Sequence, residues 1–251
     1  MPFVKVGEEN IFFSKKDTGS DHNLLLIHGS GGDHMHWPHQ VRHLPDINVF
    51  AIDLPGHGRS EGQGRDTVDA YADFTAAFVS ALNLNKVTLA GHSLGGAIAQ
   101  SLAFRVPEWL ARIILVGTGA RLRVASDMID GVLSDFHVAA NLICEYAYGP
   151  DAPASLVQAA RETLLKVDPK VVHGDFSACD QFDVMEKISE ISLPTLVISG
   201  TADQMTPVKY GEHLYQHIPG ARFSVIENGG HMMGLEKPEA LAECMVNFLR
   251  G

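Results

Sequence analysis

The 251-residue chain reads as an α/β protein: a mostly parallel, doubly wound sheet flanked by helices, with a helical lid inserted into it. Three observations predict this. Short apolar runs such as Leu24–Ile27 and Ile113–Val116 alternate with amphipathic stretches such as Thr67–Leu82, as expected of buried strands each followed by a covering helix. The stretch Lys86-Val-Thr-Leu-Ala-Gly-His-Ser-Leu-Gly-Gly96 passes from strand to small-residue helix through one sharp turn. From about Gly119 to Ser189 the alternation stops and only helical periodicity remains.

Taken in order, Phe3–Val6 and Ile11–Ser14 are expected as two edge strands around a turn at Gly7–Asn10. Leu24–Ile27 is a fully buried strand, ending in His28-Gly-Ser-Gly-Gly32, a loop whose glycines let backbone N–H groups face an anion. A short helix is expected over Trp37–Leu44, then a strand over Asn48–Leu54 and a tight loop, Pro55–Ser60. In Thr67–Leu82 the residues Val68, Tyr71, Ala72, Thr75, Phe78, Val79 and Leu82 recur at helical spacing and form one core-facing stripe. Val87–Ala90 is the next strand and Gly95–Ala103 the next helix, with Pro107 just beyond it; Ile113–Val116 is another strand. The 119–189 segment suggests one or two helices through Ile129, Val132, Leu133, Phe136 and Ile143. Another passes through Leu156, Val157, Ala160 and Leu164, and a short last one lies at Val184–Ile188. Alternation resumes with the strand Thr195–Ser199, a helix over Pro207–His217 with Thr206 as its N-cap, the strand Phe223–Ile226 and a helix over Pro238–Leu249. The expected division is a core of residues 1–118 and 190–251 and a lid of residues 119–189.

Composition narrows the partners. Hydrophobic residues make up 45%, enough for a large core, while a net charge of −11 disfavours nucleic acid and anionic lipid. Cys144, Cys179 and Cys244 are too few and too scattered for a disulfide framework. Met1–Glu9 lacks a signal-peptide core, and no apolar run approaches the ~20 residues of a membrane span. These features lead to the expectation of a cytoplasmic protein without membrane or nucleic-acid partners; they leave monomer or homo-oligomer open.

The chemistry concentrates in loops that follow the carboxyl ends of strands, where sites lie in such sheets. Gly91-His-Ser-Leu-Gly95 fits G-x-S-x-G, which puts Ser93 at the apex of a strand-to-helix turn and at the positive end of a helix. Asp203 lies in Gly200-Thr-Ala-Asp-Gln-Met-Thr-Pro207 and His231 in Asn228-Gly-Gly-His-Met-Met-Gly234. Serine, acid and histidine thus follow in the chain order of a nucleophilic triad on an α/β sheet.

On these residues the chain resembles the α/β-hydrolase superfamily over nearly its whole length, in its serine esterase-like branch. His28-Gly-Ser-Gly31 resembles that family's oxyanion loop, and Asp53-Leu-Pro-Gly-His-Gly-Arg-Ser60 its D-x-x-G-x-G-x-S loop. Gly91–Gly96 resembles the nucleophile elbow, Gly200–Pro207 the acid loop, and Gly230-His231 with Leu235–Glu239 the histidine loop. The resemblance implies the α/β-hydrolase fold and a Ser93–His231–Asp203 triad acting through an acyl-enzyme on a small-molecule ester, with neither metal nor organic cofactor. The oxyanion donors would be the N–H of Leu94 and that of Ser30, or of Gly31 one residue on. Haloalkane dehalogenases and epoxide hydrolases of this fold use aspartate at the elbow, so Ser93 sets them aside. A partly charged lid, with Asp127, Asp130, Asp135, Arg161, Glu162 and Lys166, favours a soluble carboxylesterase for small or medium acyl groups over a lipase.

Alternatives stand beside this. An enol-lactonase or carbon–carbon bond hydrolase would use the same groups, and a ligand receptor on the same fold can retain them. Asp180 and Asp183 are rival acids. Arg121 and Arg123 are either substrate-carboxylate binders or lid salt bridges. His92 reads as a packing or loop-bonding residue, and His28 and His57 as loop holders. Asp33-His-Met-His36 with His39 lacks the spacing of a metal site.

Overall fold

The computed structural model describes residues 3–251; Met1 and Pro2, which open the stretch read as lacking a signal-peptide core, lie outside the described residues. The strands are β1 (Phe3–Val6), β2 (Glu9–Lys16), β3 (Asn23–Ile27), β4 (Asn48–Ile52), β5 (Val87–His92), β6 (Leu110–Val116), β7 (Thr195–Gly200) and β8 (Arg222–Ile226). The helices are α1 (His39–Arg42), α2 (Val68–Ala81), α3 (Leu94–Arg105), α4 (Ser126–Ser134), α5 (Phe136–Ala147), α6 (Ala154–Leu164), α7 (Pro169–Gln181), α8 (Val208–His217), α9 (Met233–Glu236) and α10 (Pro238–Arg250). One eight-stranded sheet runs in the order β1-β2-β4-β3-β5-β6-β7-β8. From β4 to β8 every pairing is parallel; β1 and β2 are antiparallel additions at one side.

The alternation of side chains along buried strands explains why helices cover both faces. Leu25 and Ile27 of β3 point into a core with Tyr71 and Phe78 of α2 and Ala97, Ile98 and Leu102 of α3. Leu24 and Leu26 point the other way, toward Val41 of α1 and Leu241, Met245 and Phe248 of α10. The predicted stripe of α2 is buried as expected, save half-buried Leu82, and Thr67 caps the helix by accepting the Ala70 N–H at 3.2 Å.

Three expectations are corrected. β2 is not an edge strand: it pairs with β1 on one side and β4 on the other, which satisfies the backbone groups of a stretch whose Ile11, Phe12 and Phe13 are all buried. The helix after β7 begins at Val208 without a side-chain cap, and Thr206 turns its hydroxyl elsewhere. The 119–189 segment holds four helices, including α7, which the hydrophobic pattern does not reveal. That helix is amphipathic only in part, and its start is marked by Asp168, which caps the Lys170 N–H, and Pro169 in the first turn. The short last helix expected at Val184–Ile188 is a turn over Val184–Lys187, and only Ile188 enters a 3-10 helix, Ile188–Glu190.

The helical insertion leaves and rejoins the sheet at one neck. There the Leu122 N–H donates to Phe182 O at 3.3 Å and the Val184 N–H to Ala120 O at 2.8 Å. Among the described residues no helix is long and apolar enough to cross a membrane.

Candidate active site

Ser93 joins β5 to α3 with φ 54° and ψ −116°, a conformation that costs a non-glycine residue about 1–3 kcal/mol. Its surroundings over-determine it. The Ser93 N–H donates to Val116 O at 3.0 Å, and its carbonyl accepts the N–H groups of Gly96 and Ala97 and the Thr118 hydroxyl. The turn also requires Gly91, where a Cβ would stand 2.0 Å from the Gly95 carbonyl oxygen. The sequence therefore spends its glycines on close approach of strand and helix, and the serine is left at the helix N-terminus.

Asp203 follows β7 and His231 follows β8, and both are buried. Asp203 Oδ1 accepts the N–H groups of Met205 at 2.9 Å and Thr206 at 2.8 Å. Its Oδ2 accepts the Thr206 hydroxyl at 2.8 Å and His231 Nδ1–H at 3.0 Å. Burial alone would raise the Asp203 carboxyl, but His231 and the bonds from Thr206 outweigh it and hold it below the usual range. Thr206, expected as a helix cap, is thus a member of the acid loop, with Oγ1 also 3.2 Å from His231 Nδ1. With Nδ1 bonded to Asp203, Nε2 of His231 is the ring atom left for proton exchange. Ser93 and His231 line the same cavity, and among the described residues the Ser93 hydroxyl makes no hydrogen bond to the imidazole.

The rival acids are engaged elsewhere. Asp183 lies 3.7 Å from both Arg121 and Arg123, and Asp180 lies 3.9 Å from Arg123, on half-exposed side chains at the neck of the insertion. Arg123 also borders the cavity. His92 is a loop-bonding residue: its Nε2–H donates to the His231 carbonyl at 2.9 Å and its ring packs 4.7 Å from that of His231. Glu236 steadies the same loop from below. Its Oε2 accepts the N–H of Gly230 at 3.2 Å and that of Gly149, in the insertion, at 3.0 Å.

The loop after β3 approaches Ser93 from the other side. His28 accepts the Leu54 N–H on Nε2 at 3.0 Å and donates Nδ1–H to Gly29 O at 2.8 Å. The Gly31 N–H is taken by Asp175 Oδ2 at 2.8 Å. The N–H groups of Ser30 and Leu94 have no acceptor among the described residues. Asp175 belongs to α7, is fully buried, and also accepts His57 Nε2–H at 2.8 Å and the Tyr71 hydroxyl at 2.5 Å. His57 Nδ1 faces Pro55 O at 3.0 Å, so both ring nitrogens donate and His57 is an imidazolium paired with Asp175. Leaving either charge without the other would cost about 3–5 kcal/mol.

Ser93, His231 and the Gly29–Gly31 loop border a cavity of about 390 Å³. Its apolar wall comes chiefly from the insertion, through Leu122, Met128, Ile143, Leu164 and Phe176, with Met205 from the acid loop. Asp33, His34 and Asp53 cluster outside it, but they satisfy one another and their own loops. Asp53 Oδ1 accepts both the N–H and Nδ1–H of His34 at 2.7 Å, and its Oδ2 accepts the Arg59 N–H at 2.8 Å.

The buried histidines set opposite pH limits on stability. Burial holds His28 well below its ordinary value and His92 down at about 3, whereas the unfolded rings gain a proton below 6.5. Their contribution is present above 6.5 and is lost as pH falls below it. His57 behaves oppositely: burial alone would lower it, but Asp175 outweighs burial and raises it. That contribution is complete below 6.5 and is lost as pH rises through the raised value. Thermal unfolding followed against pH is expected to show a maximum near neutrality. A midpoint that keeps rising from about pH 7 to about pH 5 would contradict this.

Comparison with known proteins agrees with the fold. A family model for the alpha/beta hydrolase family matches residues 24–244. A pimeloyl-[acyl-carrier protein] methyl ester esterase of Neisseria meningitidis is 29% identical over 243 residues, covering 91% of this chain and 93% of the relative. A solved thermophilic esterase is 35% identical with a TM-score of 0.85, covering 99% of this chain and 96% of its own. An enol-lactonase of Burkholderia xenovorans superposes with a TM-score of 0.92 over the full length of both chains; at 24% identity this bears on the fold alone. Matched from the first buried parallel strand to the last helix, the chain belongs to the alpha/beta hydrolase family and is an enzyme with hydrolase activity.

Proposed function

We propose that the protein hydrolyses carboxylic esters with small to medium acyl groups, using Ser93 as nucleophile, His231 as general base and acid, and Asp203 to orient the imidazole. One observation carries this reading: a serine on a strained elbow shares a cavity with a histidine whose Nδ1–H is held 3.0 Å from a buried carboxylate. Ser93 Oγ attacks the ester carbonyl while its proton passes to His231 Nε2. The carbonyl oxygen becomes an oxyanion, held by the N–H groups of Leu94 and Ser30. As the oxyanion collapses, the alcohol leaves with the proton from His231, and Ser93 remains acylated. Water, deprotonated by His231, then releases the acid and restores Ser93.

The cavity supports the substrate class. Its 390 Å³ lies toward the small end of the roughly 300–1,000 Å³ of ligand pockets, and its wall is mainly apolar. The ester-cleaving names of the Neisseria relative and of the solved thermophilic protein point the same way. In this reading residues 119–189 serve as a lid over a core of residues 1–118 and 190–251. The outer side of α4 and α5 mixes exposed Leu133, Val138 and Leu142 with Asp127, Asp130 and Asp135, so the lid is not the wholly apolar face of a lipase.

The test is hydrolysis of aryl esters over a ladder of acyl lengths, beside a lactone and a vinylogous diketone. Turnover is expected to peak at short to medium acyl groups and to fall for long ones. A folded protein that ignores every aryl ester but opens the lactone or cleaves the diketone would replace this reading.

A further inference from the structure

The Ser93–oxyanion reading leaves Asp175 without a role, although it is a fully buried carboxylate that reaches the catalytic loop from a helix of the insertion. It accepts three donors from three separate segments: the Gly31 N–H, the Tyr71 hydroxyl on α2, and His57 of the loop after β4. Gly31 directly follows Ser30, and the Gly29–Gly32 turn closes on itself through the Gly32 N–H to Gly29 O at 3.1 Å. In so tight a turn, fixing one amide fixes the orientation of its neighbour. Gly31 has φ +63°, and a Cβ there would meet Leu164 of the insertion at 2.7 Å, so the loop and the insertion are fitted to each other at this point.

We infer that Asp175 is a positioning residue of the oxyanion hole: by holding the Gly31 N–H it removes that amide from the site and aims the Ser30 N–H at the reacting oxygen, so the hole is complete only with the insertion in place. The inference rests on the Ser93 nucleophile reading above. It explains why a charged pair, Asp175–His57, is buried beside the cavity and yet donates nothing into it. The imidazolium and the tyrosine hold the carboxylate in one rotamer, and the carboxylate in turn holds the loop. It also means that an insertion swung open would withdraw the acceptor from Gly31 and let the turn rotate.

An aryl trifluoromethyl ketone tests this. Ser93 Oγ adds to the ketone carbon, its proton passes to His231, and the former carbonyl oxygen sits in the hole as an oxyanion. Asp175→Ala removes both carboxylate oxygens, so the Gly31 N–H loses its acceptor and the loop its fixed orientation. The expected result is a kcat about 100-fold lower with KM within about twofold, and ketone affinity lower by a similar factor. A folded variant with kcat and ketone affinity within about threefold of wild type would overturn the inference. Because the substitution breaks a buried pair, a second measurement uses the unaltered enzyme. When the ketone adds, the amide proton of Ser30 is expected to move downfield in the NMR spectrum while that of Gly31 stays in place. Movement of Gly31 in its stead would overturn the inference even if Asp175→Ala does not fold. If the ketone binds Ser93→Ala as well as wild type, the nucleophile reading fails and the inference with it; Ser93-dependent addition with wild-type affinity in Asp175→Ala sinks the inference alone.

Discussion

Ser93→Ala is expected to lower ester turnover by on the order of 10⁶-fold, close to the background left by binding and the oxyanion donors. The effect is this large because the reaction has no second nucleophile of comparable placement. Cys144 and Cys179 also border the cavity, but burial raises the Cys144 thiol and pushes Cys179 up to about 12, so neither supplies a thiolate. The substitution should leave the fold intact. The Ser93 backbone is held through its own N–H and carbonyl, and its hydroxyl has no hydrogen-bond partner among the described residues. Groups that act as a unit are not additive, so the Ser93→Ala, His231→Ala double variant is expected to lose no more than Ser93→Ala alone. Initial rates on a short-chain aryl ester, with circular dichroism to confirm folding, decide it. Turnover that survives in Ser93→Ala would move the chemistry to another group in the cavity.

Asp203→Asn is expected to lower kcat by about 10⁴-fold, and the hydrogen bonds explain why. Oδ1 accepts two backbone N–H groups, from Met205 and Thr206, so the asparagine oxygen must occupy that position. The amide NH₂ then falls where Oδ2 was, facing His231 Nδ1. A donor there forces Nδ1 to accept and moves the ring proton to Nε2, the atom that should receive the proton of Ser93. The imidazole is held in place but in the wrong tautomer. Asp180→Asn and Asp183→Asn should each stay within about threefold of wild type, because those carboxylates pair with arginines at the neck of the insertion. A pH–rate profile of Asp203→Asn provides a second check: any residual rate should rise at alkaline pH, where hydroxide replaces the missing base. Near-wild-type turnover in Asp203→Asn with collapse in either of the other two would reassign the acid.

Much of the candidate site is written locally in the sequence. The elbow around Ser93 is legible because its requirement is steric and short-range: glycines two residues before and two and three residues after the serine allow the strand and helix to meet. The strands that carry Asp203 and His231 announce themselves as apolar runs, and each site residue lies in the loop just past one. What the periodicity missed is equally specific. Helix α7 escapes because its buried positions include Asp175 and Cys179 among polar neighbours, and a hydrophobic pattern does not count a buried carboxylate as core. The sequence alone assigns Thr206 to the helix beside it, because threonine before proline is a common helix start. Only the fold turns its hydroxyl to Asp203 and His231.

The sequence by itself therefore determined the α/β class, the parallel core strands, the elbow and the chain order of serine, acid and histidine, since each depends on residues within a turn or two of one another. The tertiary structure alone decided which amide beside Ser30 is taken, which acid faces His231, and that β2 lies inside the sheet. Each of these depends on contacts between segments far apart in the chain, as between Gly31 and Asp175, 144 residues on. A local pattern records what a residue needs, a donor, an acceptor or cover from water, but the partner that meets the need is selected only when the whole chain has packed.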